Sequence, residues 1–476
     1  MEPGHAWAGR RAGGEGRVAT AQAEGDANQS PRRTAWQEAN LDPETRALLK
    51  DDAVVFIHQS LSTPCLNALV GADGIWLEDA GGRRYMDFHG NSVHQVGFGN
   101  PRVVAAIKEQ LDVLPFAPRR YTNRPAVELA RKLVALAPGD LSRVLFMPGG
   151  AEAISVALQL ARLATGRHKT ISMWDAFHGA TLDAISVGGE AEFRQGIGPL
   201  LPGTEHVPPS DSYHCPFRCL DRGDACDLRC AEYVEYVLEK EGDVSAVVAE
   251  SVRDAPYIPP PAYWQAIRAS CDRHGALLIL DEIPHALGRT GTFFSCENFG
   301  VVPDILVIGK GLGGGVFPLA AVIAREELNV AGDRALGHFT HEKNPVACAA
   351  GLATIAEIEE RGLLAWAREL GGYALDRLHE MERRRPLIGD VRGLGLLLGV
   401  ELVRSRATRE RAVDEAEAVM YAALSRGLSF KTSMGNVLHL APPLTISRTE
   451  MDQALAILED AIAEVEREFG YPATTM

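Results

Sequence analysis

Short runs of apolar residues alternate with amphipathic stretches along most of the chain. From Pro101 onward, segments with apolar residues at helical spacing are separated by short, nearly continuous apolar runs. Such runs are typical of strands buried on both faces, so the pattern predicts an α/β fold with a mostly parallel sheet between helices. The predicted helices include Val103–Leu111, Ala126–Leu136 and Ala153–Ala164. The predicted strands are Val144–Met147, Thr170–Trp174, Val244–Glu250, Leu277–Asp281 and Ile305–Ile308.

The segments on either side of this region have a mixed pattern. Ile75–Glu78 and Tyr85–Phe88 flank Asp79-Ala-Gly-Gly82, which predicts a β-hairpin. Near the C-terminus, helices mix with strands such as Gly395–Leu402 and Val437–Ala441. We divide the chain into a leader predicted to be disordered (1–35), an N-terminal segment of a small domain (36–100), a large domain (101–345) and a C-terminal small domain (346–476).

The composition narrows the function classes. The chain has 476 residues, 48 Lys and Arg, 63 Asp and Glu, and a formal net charge of −15. This acidic balance argues against nucleic-acid binding, which needs a basic face. No apolar run is long enough to span a membrane, and the N-terminus lacks the layout of a signal peptide. We therefore predict a cytoplasmic protein with no nucleic-acid or membrane partner.

Four of the eight cysteines fall in Pro202–Cys230, which is rich in Pro, Cys and Asp and predicts a long surface loop. The four are Cys215, Cys219, Cys226 and Cys230. Four thiolates at this spacing suit a structural zinc ion, but reduced thiols without a metal are the alternative that we prefer. No catalytic metal is predicted.

Chemistry-bearing residues stand at the ends of two predicted strands. Leu277-Leu-Ile-Leu-Asp281 ends in a carboxylate, and Ile305-Leu-Val-Ile-Gly-Lys310 ends in an amine followed by glycines. Ligands of open α/β sheets bind at this edge. An amine that forms a Schiff base and a carboxylate that pairs with a pyridine nitrogen are what a pyridoxal 5′-phosphate (PLP) enzyme needs. Alternatively, these residues are a strand-terminal Asp and a surface Lys, and periodicity does not name the cofactor.

The motifs around these residues resemble those of class III aminotransferases, which are PLP enzymes of fold type I. The resemblance rests first on Asp281–Gly291 and Phe299–Gly315 and runs from about Trp76 to the C-terminus. It implies a large domain with a mostly parallel seven-stranded sheet flanked by helices, and a small α+β domain built from the N- and C-terminal segments. Further matching motifs are Tyr85–Phe88, Pro148–Ala153, Phe177–Gly179, Asn344–Cys348 and Ala441–Leu444.

The resemblance implies roles for residues around the cofactor ring. Lys310 would hold PLP covalently and later move a proton at the substrate carbon, and Asp281 would pair with the pyridine nitrogen. Phe177 would stack on the ring beside His178. The expected pocket also includes Glu250 and Ile283. Phe177 as an ordinary core aromatic, and His178 as a structural residue, remain the alternatives.

The resemblance also implies a phosphate site shared between two subunits. Gly149, Gly150 and Ala151 would cradle the phosphate with backbone amides at the start of a helix. The family usually has hydroxyl side chains at two of these positions, so here backbone contacts must dominate. Thr340 would reach the phosphate of the neighbouring subunit, which makes a homodimer the expected form and a tetramer possible. A simple turn at Gly149–Gly150 and a helix N-cap at Thr340 are the alternatives.

This sequence departs from the family in three places. His439 stands where many members have an arginine that binds an α-carboxylate, Pro284 replaces a glutamine, and Glu342-Lys343 replaces Gly-Gly. The substrate amine is therefore expected on a carbon without a carboxylate. The predicted substrate residues are Arg119, Arg120, Lys343 and His439, which would bind a substrate with an anionic tail, and Lys431 is a further basic candidate. A solvated basic turn is the alternative for Arg119 and Arg120.

The pattern Phe88–Phe98, with Arg119–Asn123 and Thr340–Asn344, resembles one branch of the family. Its members are lyases that act on (R)-1-hydroxy-2-aminoethylphosphonate in phosphonate breakdown, releasing phosphonoacetaldehyde and ammonia. An ω-aminotransferase that uses pyruvate or 2-oxoglutarate, and a phospho-lyase acting on a phosphorylated amino alcohol, remain alternatives. A cofactor-binding regulator is the alternative from another class. For the departing hydroxyl, His94 and His178 are candidate general acids.

Overall fold

The structure is a computed structural model that describes residues 30–60, 62–218 and 226–472. Most of the predicted leader, residues 1–29, lies outside the described residues, as does Cys219. Helix α1 begins at Pro31, inside the segment predicted to be disordered, because Ser30 caps it and Pro31 occupies its first position. In the described part of the chain, no helix is long and apolar enough to cross a membrane.

The described elements follow one another in the order expected for an α/β chain with mixed terminal segments. The helices are α1 (Pro31–Asn40), α2 (Pro43–Val55), α3 (Pro101–Val113), α4 (Arg124–Leu136), α5 (Gly150–Thr165), α6 (Leu182–Val187), α7 (Ala191–Arg194), α8 (Arg229–Glu241), α9 (Pro261–His274), α10 (Pro345–Glu360), α11 (Leu363–Arg384), α12 (Val413–Ser425) and α13 (Arg448–Glu468). The strands are β1 (Leu69–Asp73), β2 (Trp76–Asp79), β3 (Arg84–Asp87), β4 (Leu141–Met147), β5 (Lys169–Met173), β6 (Thr204–Val207), β7 (Val244–Glu250), β8 (Leu277–Asp281), β9 (Ile305–Ile308), β10 (Ala320–Arg325), β11 (Ile388–Leu394), β12 (Leu397–Ser405), β13 (Glu410–Arg411), β14 (Leu428–Ser429), β15 (Lys431–Ser433) and β16 (Val437–Leu440).

A seven-stranded sheet forms the centre of the large domain, as expected. Its order is β4-β10-β9-β8-β7-β5-β6, and every neighbouring pair from β9 to β6 is parallel. Strand β10 runs antiparallel to both of its neighbours. The sheet is buried on both faces, because alternate residues of one strand enter different cores: Leu278 and Leu280 join the core that contains Trp264 of α9, and Ile279 joins that of α5.

Two smaller sheets combine the ends of the chain. The first has the order β1-β2-β3-β14, and its hairpin β2–β3 is the one predicted from the turn at Asp79–Gly82. Strand β14 of the C-terminal segment pairs in parallel with β3 of the N-terminal segment. The second sheet has the order β11-β12-β16-β15, with β13 paired to β12. The small α+β part therefore draws on both segments.

One predicted loop contains regular structure. The range Pro202–Cys230 includes β6, which pairs in parallel with β5, and its last two residues begin α8. Strand β6 was missed because it is a short edge strand in which only Val207 is fully buried. The remainder of the range, as far as it is described, carries no strand or helix.

Candidate active site

Three parallel strands present the predicted chemistry at one edge of the large sheet. Glu250 is the last residue of β7 and lies in register with Asp281, the last residue of β8. Asp281 in turn pairs with Val307 of β9, and Lys310 follows that strand after Gly309. Because the carboxyl ends of parallel strands meet at one edge, residues 60 positions apart in the sequence come together.

Asp281 is held in one orientation by two donors. Its Oδ2 lies 2.8 Å from Nδ1 of His178, and its Oδ1 accepts a hydrogen bond of 3.0 Å from the backbone N–H of Ile283. Both Asp281 and His178 are buried. A carboxylate fixed in this way, away from water, suits a partner with a protonated ring nitrogen. The imidazole of His178 is therefore placed to orient Asp281.

Lys310 extends into a cavity of about 740 Å³. Its backbone has a φ of +46°, an unusual conformation for a residue with a side chain. Burial is the main cause that lowers the pKa of the Lys310 amine; the Asp254 carboxylate opposes this shift, and the Lys431 ammonium adds to it. A lowered pKa increases the neutral fraction of the amine, which is the form that attacks an aldehyde and accepts a proton.

Glu250 contacts two other residues of the wall of this cavity, Phe177 and Arg253. Its Oε1 accepts a hydrogen bond of 3.0 Å from the backbone N–H of Phe177, and lies 3.4 Å from Nη1 of Arg253. Phe177 lines the cavity, and its ring centroid is 4.4 Å from that of Phe193. The predicted set Phe177, Glu250 and Lys310 is therefore brought together around one cavity.

The start of α5 forms a cradle of small residues. Gly149 is the N-cap residue, and no side chain caps the helix. A Cβ atom on Gly150 would lie 2.8 Å from Cδ1 of Ile283, and one on Gly179 would lie 2.6 Å from Cβ of Ala151. Larger side chains would fill this space, so the backbone amides at the start of α5 stay accessible to an anion. The predicted residues Gly149, Gly150, Ala151 and Ile283 thus meet here.

These features fit PLP. The buried Asp281 carboxylate suits a pyridine nitrogen, the Lys310 amine suits an aldehyde, and the amides that begin α5 suit a phosphate. Phe177 supplies an aromatic surface on the cavity wall. The structure therefore places each chemical part that the cofactor needs at the same edge of the sheet.

The residues predicted to bind the anionic tail of the substrate lie close together. They do not line the cavity that contains Lys310 of the same chain. Nε of Arg119 is 3.1 Å from a carboxylate oxygen of Glu342, and Nδ2 of Asn123 donates a hydrogen bond of 2.9 Å to the backbone oxygen of Lys343. Arg120 and Thr340 are exposed. None of Arg119, Arg120, Thr340 and Lys343 lines the cavity that contains Lys310. Their roles at a shared site remain predictions.

His439 faces a polar cluster next to the cavity. It is fully buried on β16, and its Nδ1 lies 2.6 Å from the backbone oxygen of Asp254. Burial lowers the pKa of His439 to about 4, so the ring is neutral at neutral pH. His439 does not itself line the cavity, whereas Lys431, its cross-strand partner on β15, does.

Sequence reasoning missed two members of this cluster, Asp254 and His285. A carboxylate oxygen of Asp254 accepts a hydrogen bond of 2.7 Å from Nζ of Lys431, and the other lies 3.4 Å from Nε2 of His285. The available signal was the pair Arg253-Asp254, two charged residues soon after the fully buried strand β7. Charged residues in such a position are buried only if they are paired.

The cysteine loop shows no metal site in its described part. Cys226 and Cys230 are free thiols, and Cys219 lies outside the described residues. Burial raises the pKa of Cys230 to about 12, so this thiol stays protonated. Across residues 30–60, 62–218 and 226–472, no three His, Cys, Asp or Glu side chains are grouped so that they could hold a metal ion.

Comparison with known proteins assigns the family. The model of the class-III aminotransferase family matches residues 58–462. The chain therefore belongs to the class-III aminotransferases and is a PLP-dependent enzyme. Members of this family are typically homo-oligomers that act on amines.

Two proteins that are similar to this chain over most of its length have different activities. The chain is 50% identical, over 463 residues, to the (R)-1-hydroxy-2-aminoethylphosphonate ammonia-lyase of Vibrio splendidus, an alignment that covers 94% of this chain and 97% of that protein. It is 41% identical to the leucine/methionine racemase of Thermococcus litoralis over 394 residues, 81% of this chain and 88% of that protein.

Solved structures agree with the fold. An (S)-enantioselective ω-transaminase from Thermomicrobium roseum superposes with a TM-score of 0.82 at 32% identity, covering 88% of this chain and 98% of that one. An amine transaminase from an uncultivated Pseudomonas species, solved in its PLP-bound form, gives a TM-score of 0.80 at 29% identity, covering 86% and 99%.

Proposed function

We propose that this protein is a PLP-dependent ammonia-lyase of phosphonate catabolism. Its substrate is (R)-1-hydroxy-2-aminoethylphosphonate, and loss of the hydroxyl group leads to phosphonoacetaldehyde and ammonia. The observation that carries this proposal is the 50% identity with the V. splendidus ammonia-lyase over almost the full length of both chains. The similarity to the T. litoralis racemase is lower, with 41% identity over 81% of this chain.

The environment of His439 supports a substrate without an α-carboxylate. The family resemblance places a carboxylate-binding arginine at this position. His439 is instead buried, and its lowered pKa leaves it uncharged at neutral pH. An uncharged imidazole does not replace the paired hydrogen bonds of a guanidinium. A substrate whose amine stands on a CH₂ group, such as an aminoethylphosphonate, has no α-carboxylate and does not need an arginine at this position.

The chain's own residues hold the cofactor and prepare it. PLP, when bound, supplies an aldehyde that bonds to the substrate amine and a ring that withdraws electrons from the neighbouring carbon. Asp281, oriented by His178, would keep the ring nitrogen protonated, and Phe177 and Ile283 would contact the ring. The amides that begin α5 would hold the phosphate.

Lys310 would move the proton that starts the elimination. As a neutral amine it takes a proton from the amine-bearing carbon of the substrate. Burial, which lowers its pKa, favours this neutral form. The same residue serves lyases and aminotransferases, and the outcome depends on whether a leaving group stands on the next carbon.

A second copy of the chain would complete the site. In a homodimer, Thr340 of the second copy would approach the cofactor phosphate, and Arg119, Arg120 and Lys343 would add positive charge for the phosphonate. Their clustering on the segments around Asn123 and Glu342 supports a common role. We place the enzyme in the cytoplasm, where PLP is available and its thiols stay reduced.

The test is ammonia release from the hydroxylated aminophosphonate by the holoenzyme without any keto acid. We expect catalytic release that pyruvate does not accelerate. Lys310→Ala should abolish turnover, whereas Lys132→Ala, which removes a lysine from a surface ion pair with Glu359, should leave it intact. Release only when pyruvate or 2-oxoglutarate is present would make the protein an ω-aminotransferase, and release of phosphate from a phosphorylated amino alcohol would make it a phospho-lyase.

A further inference from the structure

An ion pair lies on the wall of the cavity that contains Lys310. Lys431, the first residue of β15, donates a hydrogen bond of 2.7 Å to the Asp254 carboxylate, and both side chains line the cavity. Burial raises the pKa of Asp254, but the nearby His439 and Lys431 outweigh it and hold the pKa well below the usual carboxyl value. A carboxylate that is ionised at neutral pH and lies this close favours the ammonium form of Lys431.

Other titratable groups near this pair are Lys310, Arg289 and the imidazoles of His89, His285 and His439. Burial holds the pKa of His89 well below its usual value and that of His439 at about 4. These two rings are therefore neutral at neutral pH and are poor proton donors. Lys310, with its lowered pKa, is suited to accept a proton.

The two histidines suggested by the sequence as general acids are placed unfavourably. Burial lowers the pKa of His94 to about 3, its ring is directed at the backbone oxygen of Asp87, and it does not line the cavity. His178 is engaged with Asp281 and is also absent from the cavity wall. Lys431, in contrast, lies on the cavity wall and donates a hydrogen bond to Asp254, so it has a proton to give.

We propose that Lys431 is the general acid that protonates the departing hydroxyl, and that Asp254 positions it. This inference rests on the proposed elimination. As Lys310 takes the proton from the amine-bearing carbon, that electron pair forms the carbon–carbon double bond. The carbon–oxygen bond breaks, and Lys431 gives a proton to the oxygen, which leaves as water.

The protons that move in this step are exchanged with the two lysines only. Lys310 gains one proton and Lys431 loses one, so the enzyme's charge does not change in this step. One water molecule is taken up again when ammonia is released, so the overall reaction neither consumes nor produces water. Two amines in one cavity thus take opposite roles because Lys310 is desolvated and Lys431 is held beside a carboxylate.

The test compares two leaving groups. The substrate analogue with fluorine in place of the hydroxyl gives the same double bond, but fluoride leaves as an anion without a proton. Lys431→Arg keeps the positive charge, but an arginine does not give up a proton near neutral pH. We expect this variant to lose about 100-fold or more in kcat with the hydroxyl substrate and less than about 10-fold with the fluoro analogue.

Further variants separate the proposed role from a structural one. Asp254→Asn should show the same preference for the fluoro analogue, to a smaller extent. Lys132→Arg, at a surface lysine whose ion-pair distance to Glu359 is also 2.7 Å, should change neither rate. Binding of ethylphosphonate to the holoenzyme, measured by calorimetry, should be nearly unchanged in Lys431→Arg, which shows that the substrate site is intact.

The outcomes distinguish the inference from the proposed function. If the wild type eliminates neither substrate, the proposed function fails. If the wild type is active and Lys431→Arg retains full activity with the hydroxyl substrate, the inference is overturned and the lyase assignment stands. A further outcome is that Lys431→Met loses activity equally with both substrates and no longer binds ethylphosphonate, while Lys431→Arg keeps wild-type activity and binding. In that case Lys431 binds the phosphonate and is not the general acid. Melting temperature and cofactor absorbance verify that each variant is folded.

Discussion

Asp281 ends β8 and Lys310 follows the adjacent strand β9, yet their surroundings give them different properties. Asp281 is fixed by one imidazole and one backbone amide, so its orientation is set before any ligand arrives. Lys310 lies in a cavity where burial lowers the pKa of its amine. The first arrangement suits a constant electrostatic partner, and the second suits a group that changes its protonation and covalent state.

At this scale we predict a measurable contribution from His178. His178→Ala removes the donor that lies 2.8 Å from Asp281, so the carboxylate loses both orientation and a charge-assisted hydrogen bond. We expect PLP affinity to fall about 10- to 100-fold, measured by the absorbance that remains after dialysis. His379→Ala, at a half-exposed histidine that lies 3.0 Å from Glu382, is the control. An unchanged dissociation constant in His178→Ala would contradict this role.

A second prediction at the residue scale concerns Glu401, which is buried on β12. Burial opposes its ionisation, but His214 and Arg392 outweigh it and lower its pKa to about 2. Because this value lies below the ordinary 4.5, the stabilisation is present above about pH 4.5 and is lost as the pH falls toward 2. By the size of the shift, it amounts to roughly 3 kcal/mol.

Urea unfolding at pH 7 and pH 3 measures this contribution. Glu401→Gln should lower the free energy of unfolding strongly at pH 7 and less at pH 3. Glu380→Gln, at a half-exposed carboxylate, should be nearly neutral at both pH values. A difference between wild type and Glu401→Gln that grows as the pH falls would refute this sign.

Among the elements, helix α5 has a first turn in which no side chain caps the backbone amides. Small residues stand at Gly149, Gly150 and Ala151, and Ile283 closes the space above Gly150. A helix whose first amides have no side-chain cap lacks a stabilising contact, and we propose that a bound phosphate would supply it. On this proposal, the start of α5 gives up local stability in exchange for a phosphate site.

Gly150→Ala tests this account of α5. The added Cβ would lie 2.8 Å from Cδ1 of Ile283, so we expect a loss of about 1–3 kcal/mol in unfolding free energy and weaker PLP binding. Ile283→Val removes that methyl group and should restore part of the loss in the double variant. Gly332→Ala, where the new Cβ meets nothing within 4 Å, is the matched control. Additive effects of the two substitutions would contradict the proposed contact.

The elements also show what a sequence can and cannot predict. The five strands Val144–Met147 through Ile305–Ile308 were recognised within a few residues of their ends, because each is a short apolar run between helices. Strand β10 was not predicted, although its composition is also apolar. Strand β6 was not predicted because an edge strand buries few of its side chains. Asp281 and Lys310 were predicted from their local motifs, whereas Asp254, His285 and Lys431 were brought together by folding across nearly 180 residues.

At the scale of the whole molecule, we propose a site that is shared by two copies of the chain. Residues Val54–Ile57 form an exposed apolar run, with Ile57 90% exposed, and such a surface suits a subunit interface. Arg119, Thr340 and Lys343 do not line this chain's own cavity, which is what a residue donated to a partner would show.

Subunit complementation tests the shared site. One variant carries Lys310→Ala, and the other carries Arg119→Glu with Lys343→Glu. We expect each to be nearly inactive alone, and coexpression to restore about a quarter of wild-type activity, since half of the dimers are mixed and each of these has one intact site. Absence of recovery, with mixed dimers demonstrated by mass spectrometry, would show that each chain builds its site alone.

The most direct test of the central claim is ³¹P NMR of racemic 1-hydroxy-2-aminoethylphosphonate with the holoenzyme and no keto acid. The account predicts that about half of the racemate is converted to phosphonoacetaldehyde, with one ammonia released per product, and that the other half remains. Persistence of the whole racemate, together with conversion of primary amines when pyruvate is added, would contradict the lyase assignment and identify a transaminase.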